Sequence, residues 1–274
     1  MKFGWLTTWW VDKASKHRLA ATVMLSAVMR KYSNRIAISS FSDDAKRVYD
    51  ATKRFQECAR FDRLYFILAL PPSFRSLSAV MRWIAWAKNR MIFSRTLRKR
   101  GLEIRTIESF NEALNSFINK WAVGDPLTRD ASYWHWVLKF PWMSASPEDA
   151  ATQKSYAFSV FAKDFRQIPL LVSRSGTIIA LLIMTLRDGR LSLKYAYYEA
   201  SDTAEVAAAL RVAITDINPW LFISSDTSLN KVLKQGLPFY LATWSRSLVA
   251  YAARAFPVSV GPRFQFGIGD NIFT

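Results

Sequence analysis

The chain holds one cysteine, Cys58, and two histidines, His17 and His135. A lone thiol excludes an internal disulfide and fits a reducing compartment. Two imidazoles give little support to a protein metal site of the usual ligand types, so no metal is expected. Also missing is any run of about 18 to 20 apolar residues, the length a bilayer-spanning helix needs. The longest run, Thr177–Leu186, follows Ser175-Gly176 and reads as a hairpin strand. Lys13, Lys16 and Arg18 interrupt the N-terminus too early for a signal peptide. A cytoplasmic location, with peripheral contact to an inner membrane as a variant, is the expectation. Acidic residues are scarce as well: 21 stand against 38 Lys and Arg, a formal net charge of +17. Such an excess points to an anionic partner without choosing among nucleic acid, anionic lipid and phosphate-bearing small molecules.

What is present is enough apolar material, 51% of the residues, for one large core or two small ones. The opening reads strand, helix, strand, helix, strand: Phe3–Val11, Ser15–Tyr32, Arg35–Phe41, Asp43–Glu57 and Arg63–Leu68. Trp5, Thr7 and Trp9 alternate, whereas Leu19, Val23, Met24 and Val28 repeat at helical spacing. Ser33-Asn34 breaks the first helix, and Ser42 with Asp43 and Asp44 behind it is an N-cap for the second. That second helix carries Ala45, Val48, Tyr49 and Thr52 on one face.

From Arg63 to Leu102 there is no acidic residue. Val80, Trp83, Ile84, Ala87 and Met91 fall at helical spacing, and Lys88, Arg90, Arg95, Arg98, Lys99 and Arg100 surround them. A basic amphipathic helix suits a membrane surface or a phosphate-rich partner; a bridging helix with a solvated basic rim has the same pattern. Further on, Leu102–Ile107 reads as a strand, and Asn111–Val123 and the aromatic-rich Arg129–Phe140 as helices. A β-rich block follows: Tyr156–Phe161, Ile168–Ser173, Thr177–Leu186 and Leu191–Tyr198, with hairpin turns at Ser175-Gly176 and Asp188-Gly189. Asp202–Ile217 is a helix with Ala204, Ala207, Ala208 and Val212 inward. Then come strand Trp220–Ser225, helix Thr227–Gln235 and strand Leu241–Ala252.

Arg35–Leu68 and Pro219–Tyr251 share an order. Ile38-Ser39-Ser40 and Ile223-Ser224-Ser225 each lead through a capped helix to a long strand. A duplicated unit follows; either its first copy has lost its opening strands or the sequence begins inside a domain. The expected fold is α/β with a mixed sheet in two tandem units: a partial unit over 1–70, a basic helical linker region over 71–125, and a fuller unit over 126–274.

This order, with Trp9-Trp10-Val11 closing the first strand and Ile38-Ser39-Ser40-Phe41-Ser42-Asp43-Asp44 opening the second helix, resembles the Gcn5-related N-acetyltransferase (GNAT) superfamily. The segments Arg129-Asp130-Ala131-Ser132-Tyr133-Trp134 and Gly267-Ile268-Gly269-Asp270-Asn271 are similar to its tandem N-acyltransferases associated with bacterial polysaccharide biosynthesis. The resemblance implies acetyl-CoA or another acyl-CoA, its pyrophosphate held by the turn after the first strand. The matching positions are Val11, Lys13, Lys16, His17, Leu19 and Ala21, with Arg18 between and Ser42 at the next helix. His17 and Leu19 stand where the family has glycines, so side chains occupy the approach to phosphate, while Lys16, His17 and Arg18 keep positive charge there.

The resemblance makes Tyr49 the acid for the leaving thiolate, and packing in a core is the alternative for a helix tyrosine. Glu199 or Asp44 is the candidate base. The implied reaction is acyl transfer to an amine, a small molecule or a nucleotide- or lipid-linked amino sugar. The alternative is a non-catalytic relative that binds an anionic membrane surface or polyanion through its basic helix. Nucleic acid has charge and aromatics in its favour but no recognisable motif.

Overall fold

The computed structural model describes residues 4–6, 20–39, 41, 43–70, 90–91, 95, 97–122, 129–140, 162–235 and 240–256. Within these the chain is a mixed α/β protein, in two compact units. Unit one comprises residues 1–61 and 247–274, and unit two residues 62–246. The strand expected over Tyr156–Phe161 and the glycine-containing tail lie outside the described residues.

Unit one holds β1 (Gly4–Leu6), α1 (Ala20–Lys31), β2 (Ile36–Ile38) and α2 (Asp43–Thr52). It also takes the first half of β3 (Phe55–Ile67) and the second half of β9 (Ala242–Ala253). β1 and β2 are parallel, which requires the crossover that α1 supplies. Ser33 and Asn34 end that helix with φ of 50° and 59°, and the Asn34 N–H returns to the Met29 carbonyl at 2.8 Å. The core gathers Leu25, Met29, Ile36, Ile38, Tyr49, Phe55 and Tyr251.

Two sequence expectations change here. The buried face of α1 is Leu25 and Met29, whereas Val23 and Met24 are 62% and 55% exposed. Both stripes have helical spacing, so periodicity alone does not choose between them. The second helix stops at Thr52 rather than running to Glu57. Lys53 takes φ +54°, the left-handed cap conformation usual for glycine, and Phe55 already belongs to β3.

Unit two contains β4 (Leu102–Thr106), α3 (Glu112–Ala122), α4 (Ala131–Lys139), β5 (Phe165–Arg174), β6 (Thr177–Arg187) and β7 (Arg190–Tyr198). After these come α5 (Thr203–Ile217), β8 (Leu221–Ser224) and α6 (Thr227–Lys234). The strand order is β3-β8-β7-β6-β5-β4. The β5–β6 and β6–β7 hairpins turn at Ser175-Gly176 and Asp188-Gly189. φ is positive at all four residues, the primed-turn geometry that matches strand twist. One face of this sheet packs Leu64, Phe66, Leu182, Met184, Leu193, Ala196 and Phe222 under α5 and α6. Ala207 and Val212 of α5 are buried as expected, but Ala204 is exposed and Ala208 half-buried. The inward row instead continues through Val206, Leu210, Ala213 and Ile214. An alanine-rich helix has too little contrast between faces to mark the buried one.

The repeated order is present as β1-α1-β2-α2-β3 and β7-α5-β8-α6-β9, each beginning with a parallel strand pair. The closing strands are exchanged. In unit one β9 runs antiparallel to β2, pairing Ala37 with Ala252 and Ile38 with Tyr251. In unit two β3 runs antiparallel to β8, from Leu64 opposite Ser224 to Ile67 opposite Leu221.

Two backbone positions make opposite predictions. A Cβ at Gly189, φ +75°, would meet Trp220 Cδ1 at 2.8 Å, so Gly189→Ala is expected to destabilise by at least about 1 kcal/mol. Lys53→Gly relieves a left-handed side-chain residue and is expected to stabilise by about 0.5 kcal/mol, net of the entropy of a new glycine. Urea unfolding midpoints that moved the other way would refute both assignments.

Candidate functional site

In unit two β7 touches β8 for only part of its length. The parallel register covers Arg190 with Leu221, Leu191 with Phe222 and Ser192 with Ile223. β7 continues to Tyr198 past its last rung with β8, and the Tyr198 hydroxyl reaches Asp226, two residues beyond the end of β8. In parallel α/β arrangements that end is where ligands settle. On its other side β7 shifts register against β6: Ile183 pairs with Tyr195 and Met184 with Leu193, leaving Lys194 as the inserted residue of a β-bulge.

The entrance to α5 follows β7 directly. Ala200–Asp202 form a 3-10 turn, and Glu199, Asp202 and Glu205 surround the helix start. Carboxylates complement the positive end of a helix. Here each is also paired: Glu199 to Lys120 at 2.8 Å, Asp202 to Arg174 at 3.3 Å and Glu205 to Arg100 at 3.4 Å. An entrance so occupied repels a pyrophosphate.

The polar groups around β7 form two short networks. The Tyr198 hydroxyl donates to the Asp226 carboxylate, 2.9 and 3.0 Å from its two oxygens, and Asp226 caps α6 by accepting from the Leu229 N–H at 2.8 Å. Burial is the main cause that raises the Asp226 pKa, despite these bonds; burial, then the Asp226 charge, raises that of Tyr198. The second network runs from Trp134 Nε1, which donates to the Tyr197 hydroxyl, on to the Arg129 carbonyl at 2.7 Å. Arg129 is 1% exposed, and its guanidinium lies 4.9 Å from the Tyr195 ring centre. Asp130 fixes this corner by capping α4 through the Tyr133 N–H, and that bond lowers its pKa.

In unit one, Val11, Lys16, His17, Arg18, Leu19 and Ser42 lie outside the described residues. Ala21 falls in the first turn of α1. Tyr49 is 1% exposed, with the rings of Phe41 and Phe55 at 5.4 and 5.3 Å, and burial raises its pKa. Beside it, Asp50 accepts from Lys46 at 2.6 Å and from the Tyr251 hydroxyl at 2.9 Å. Asp44 is exposed and paired with Arg47. Tyr49 and Glu199 belong to different units.

The basic stretch is described only in part. Arg90 stands 3.8 Å from Asp216, Arg100 pairs with Glu205, and Leu97 packs against the core of unit two. Met91, expected on the apolar face, is 57% exposed. Among the described residues no helix is long and apolar enough to cross a membrane.

No protein-family model and no curated protein matches the chain. Solved structures similar to it include a conserved protein of unknown function from Staphylococcus epidermidis, at 13% identity, covering 84% of this chain and 76% of the other, with a TM-score of 0.44. A GCN5-related N-acetyltransferase from Anabaena variabilis shares 11% identity over 86% of this chain and 50% of its own, at a TM-score of 0.46. A GCN5-related N-acetyltransferase from Kribbella flavida shares 11% over 85% and 74%, at 0.44. The chain spans about half the length of the Anabaena protein.

The raised pKa of Asp226 has a definite sign. A carboxyl whose folded pKa exceeds its unfolded value stabilises the fold below that unfolded value, and the contribution is lost as the pH rises through the folded one. Asp226→Asn keeps an acceptor for Leu229 and Tyr198 but no charge. The variant is therefore expected to gain stability relative to the parent between pH 3.5 and pH 7, as read from urea unfolding at each pH. A difference that stays constant or moves against the variant refutes the assignment.

Proposed function

We propose that this protein is an acyl-CoA-dependent N-acyltransferase whose acyl donor is held by unit one. The carrying observation is the contrast between its two crossover helices. The same strand–helix–strand arrangement occurs twice, yet α5 begins among Glu199, Asp202 and Glu205, whereas the segment leading to α1 contains Lys13, Lys16, His17 and Arg18. Phosphates favour a helix start with cations beside it and avoid one already crowded with carboxylates. With His17 and Leu19 in place of glycines, the pyrophosphate is bound by side-chain cations more than by a backbone cradle.

The reaction is attack of a neutral amine on the thioester carbonyl. A C–N bond forms, the tetrahedral oxyanion collapses with cleavage of the C–S bond, and the departing thiolate takes up a proton. The acceptor class is an amine, and an amino sugar fits the resemblance. Glu199 is engaged with Lys120, and Tyr49 sits inside an apolar core, so neither is assigned a proton-transfer step. A second reading, binding of an anionic membrane surface by a non-catalytic relative, draws on the exposed Arg95, Arg98 and Lys99. It loses Arg90 and Arg100 to acidic partners on α5.

Calorimetric titration with acetyl-CoA tests the first reading. Saturable binding is expected, weakened about tenfold or more in Lys16→Ala/Arg18→Ala and unchanged in Glu199→Gln. A chain that binds no acetyl-CoA, but floats with anionic and not with neutral vesicles, would establish the second reading instead.

A further inference from the structure

At the edge of the unit-two sheet, β3 and β9 carry an aromatic pair that the fold leaves partly open. The two strands are neighbours, and their backbones meet at Arg54 with Arg254 and at Ile67 with Leu241, so they run antiparallel. On β3, Leu64 and Phe66 face the core beneath α5 and α6, which turns Tyr65 to the other face. Trp244 of β9 lies on that same face, because its ring stacks on Tyr65 with centroids 4.5 Å apart and planes 6° from parallel. That separation is close to the spacing of adjacent strands, about 4.8 Å, so the two rings stand upright and stack across the sheet. The far face of Tyr65 looks toward Ile223, its partner on β8. The far face of Trp244 looks over the outer edge of β9. Among the described residues no strand pairs with residues 242–246 along that edge, and Trp244 is 44% exposed. One ring face is therefore open to a further planar group.

Strand alternation sets the charges beside it. Two residues along from the aromatic pair, in the same direction on both strands, stand Arg63 of β3 and Arg246 of β9, on the face of the stack. Arg63 is half-buried and Arg246 exposed, and neither side chain makes a hydrogen bond or ion pair with a protein acceptor among the described residues. Like charges on adjacent strands repel. An anion seated at the two guanidinium groups removes that conflict and takes planar donors from both. The step from Trp244 to Arg246 is two residues of extended chain, about 7 Å. A nucleotide spans a comparable length from its base to its 5′-phosphate, and every base has a π-face for an aromatic ring. A neutral sugar ring would use Trp244 but not the arginines, and a bare phosphate would use the arginines but not the ring.

We propose that Trp244, stacked on Tyr65, forms with Arg246 and Arg63 a nucleotide-binding site at the β9 edge of unit two, the base on the open Trp244 face and the phosphate at the arginines. A free nucleotide and a nucleotide within single-stranded RNA present the same two groups. The site stands apart from the basic segment before α1 and does not depend on acyl transfer.

The test uses the full chain carrying Lys16→Ala/Arg18→Ala, so that the segment before α1 contributes least. This host is titrated calorimetrically with AMP, adenosine, ribose 5-phosphate and a short single-stranded RNA. Binding of AMP is expected, weakened about tenfold or more by Trp244→Ala and by Arg246→Gln, and held within about threefold by Trp244→Phe. Adenosine and ribose 5-phosphate each lack one half of the recognition and are expected to bind at least about tenfold more weakly than AMP. RNA that binds tighter than AMP assigns a strand; RNA that binds no tighter assigns the free nucleotide. Circular dichroism checks that each variant is folded, and Arg246→Gln alone decides if Trp244→Ala is not. Absence of AMP and RNA binding in the host, equal binding of adenosine or ribose 5-phosphate, or unchanged binding in a folded Trp244→Ala or Arg246→Gln variant overturns the proposal. Flotation with anionic vesicles that Trp244→Ala abolishes, without nucleotide binding, also overturns it and assigns a lipid surface. Acetyl-CoA carries a nucleotide of its own, so it is titrated into the parent chain with and without Trp244→Ala. An unchanged affinity keeps the two sites separate, and a matching loss places the acyl donor on the stack and overturns their separation. Because the host already lacks cations before α1, a failure of AMP to bind leaves the acyl-CoA reading untouched, and a failure of acetyl-CoA to bind the parent chain leaves this one standing.

Discussion

The exchanged closing strands are the constraint on which both units depend. β2 is three residues long and β8 four, too short to be held by their own side chains. Each has a parallel neighbour on one edge and would leave backbone N–H and C=O groups open on the other. β9 closes the edge of β2 and β3 closes that of β8, in each case from the other copy of the repeat. Neither copy can satisfy its own sheet. The Cys58 thiol shows how tightly β3 is held in unit one: it donates to the Ala250 carbonyl at 3.4 Å, and burial pushes its pKa up to about 11. It is a packed thiol, not a reactive one. The exchange also fixes a kinetic property. β3 obtains its partner in unit two only when β8, far along the chain, is in place, and such non-local pairing slows folding.

On this common frame the two copies have taken different chemistry. The crossover helix of the second is sealed by ion pairs from α3, β5 and the segment before β4, through Lys120, Arg174 and Arg100. Each pair is partly exposed and adds little stability by itself. Their combined effect is local: the positive end of α5 is already neutralised, which removes it as a phosphate site. The segment before α1 carries the opposite charge, with Lys13, Lys16 and Arg18.

How much of this could be read from the residues follows from the range of each signal. The hairpins at Ser175-Gly176 and Asp188-Gly189, the break at Ser33-Asn34 and the Asp226 cap are local, and each stands where its turn chemistry puts it. The repeat is visible because Ile38-Ser39 and Ile223-Ser224 precede helices of similar length. The exchange of β3 and β9 is not visible, since strands pair through contacts that no local pattern encodes. Lys53 ends α2 without a glycine to announce it. The face of α1 escaped because Val23 and Met24 are as apolar as Leu25 and Met29, and the choice is made by what lies beneath the helix. A helix tyrosine such as Tyr49 suits either an acid or a core ring by sequence, and the rings of Phe41 and Phe55 surround it in the core of unit one.

Lys194 was hidden for a further reason. In a regular strand with Leu193 inward, Lys194 points outward as an ordinary surface lysine, Tyr195 points inward and Ala196 outward. The inserted residue breaks that pattern, so two successive side chains share one face. One of them, Tyr195, lies beneath the buried Arg129 guanidinium. The other is Lys194, the inserted residue. A single added residue therefore sets the Tyr195 ring beneath a buried cation. Arg129 is satisfied by a ring whose face is negative. For Lys194, burial first, then the like charges of Arg63 and Arg187, bring the pKa down to about 8.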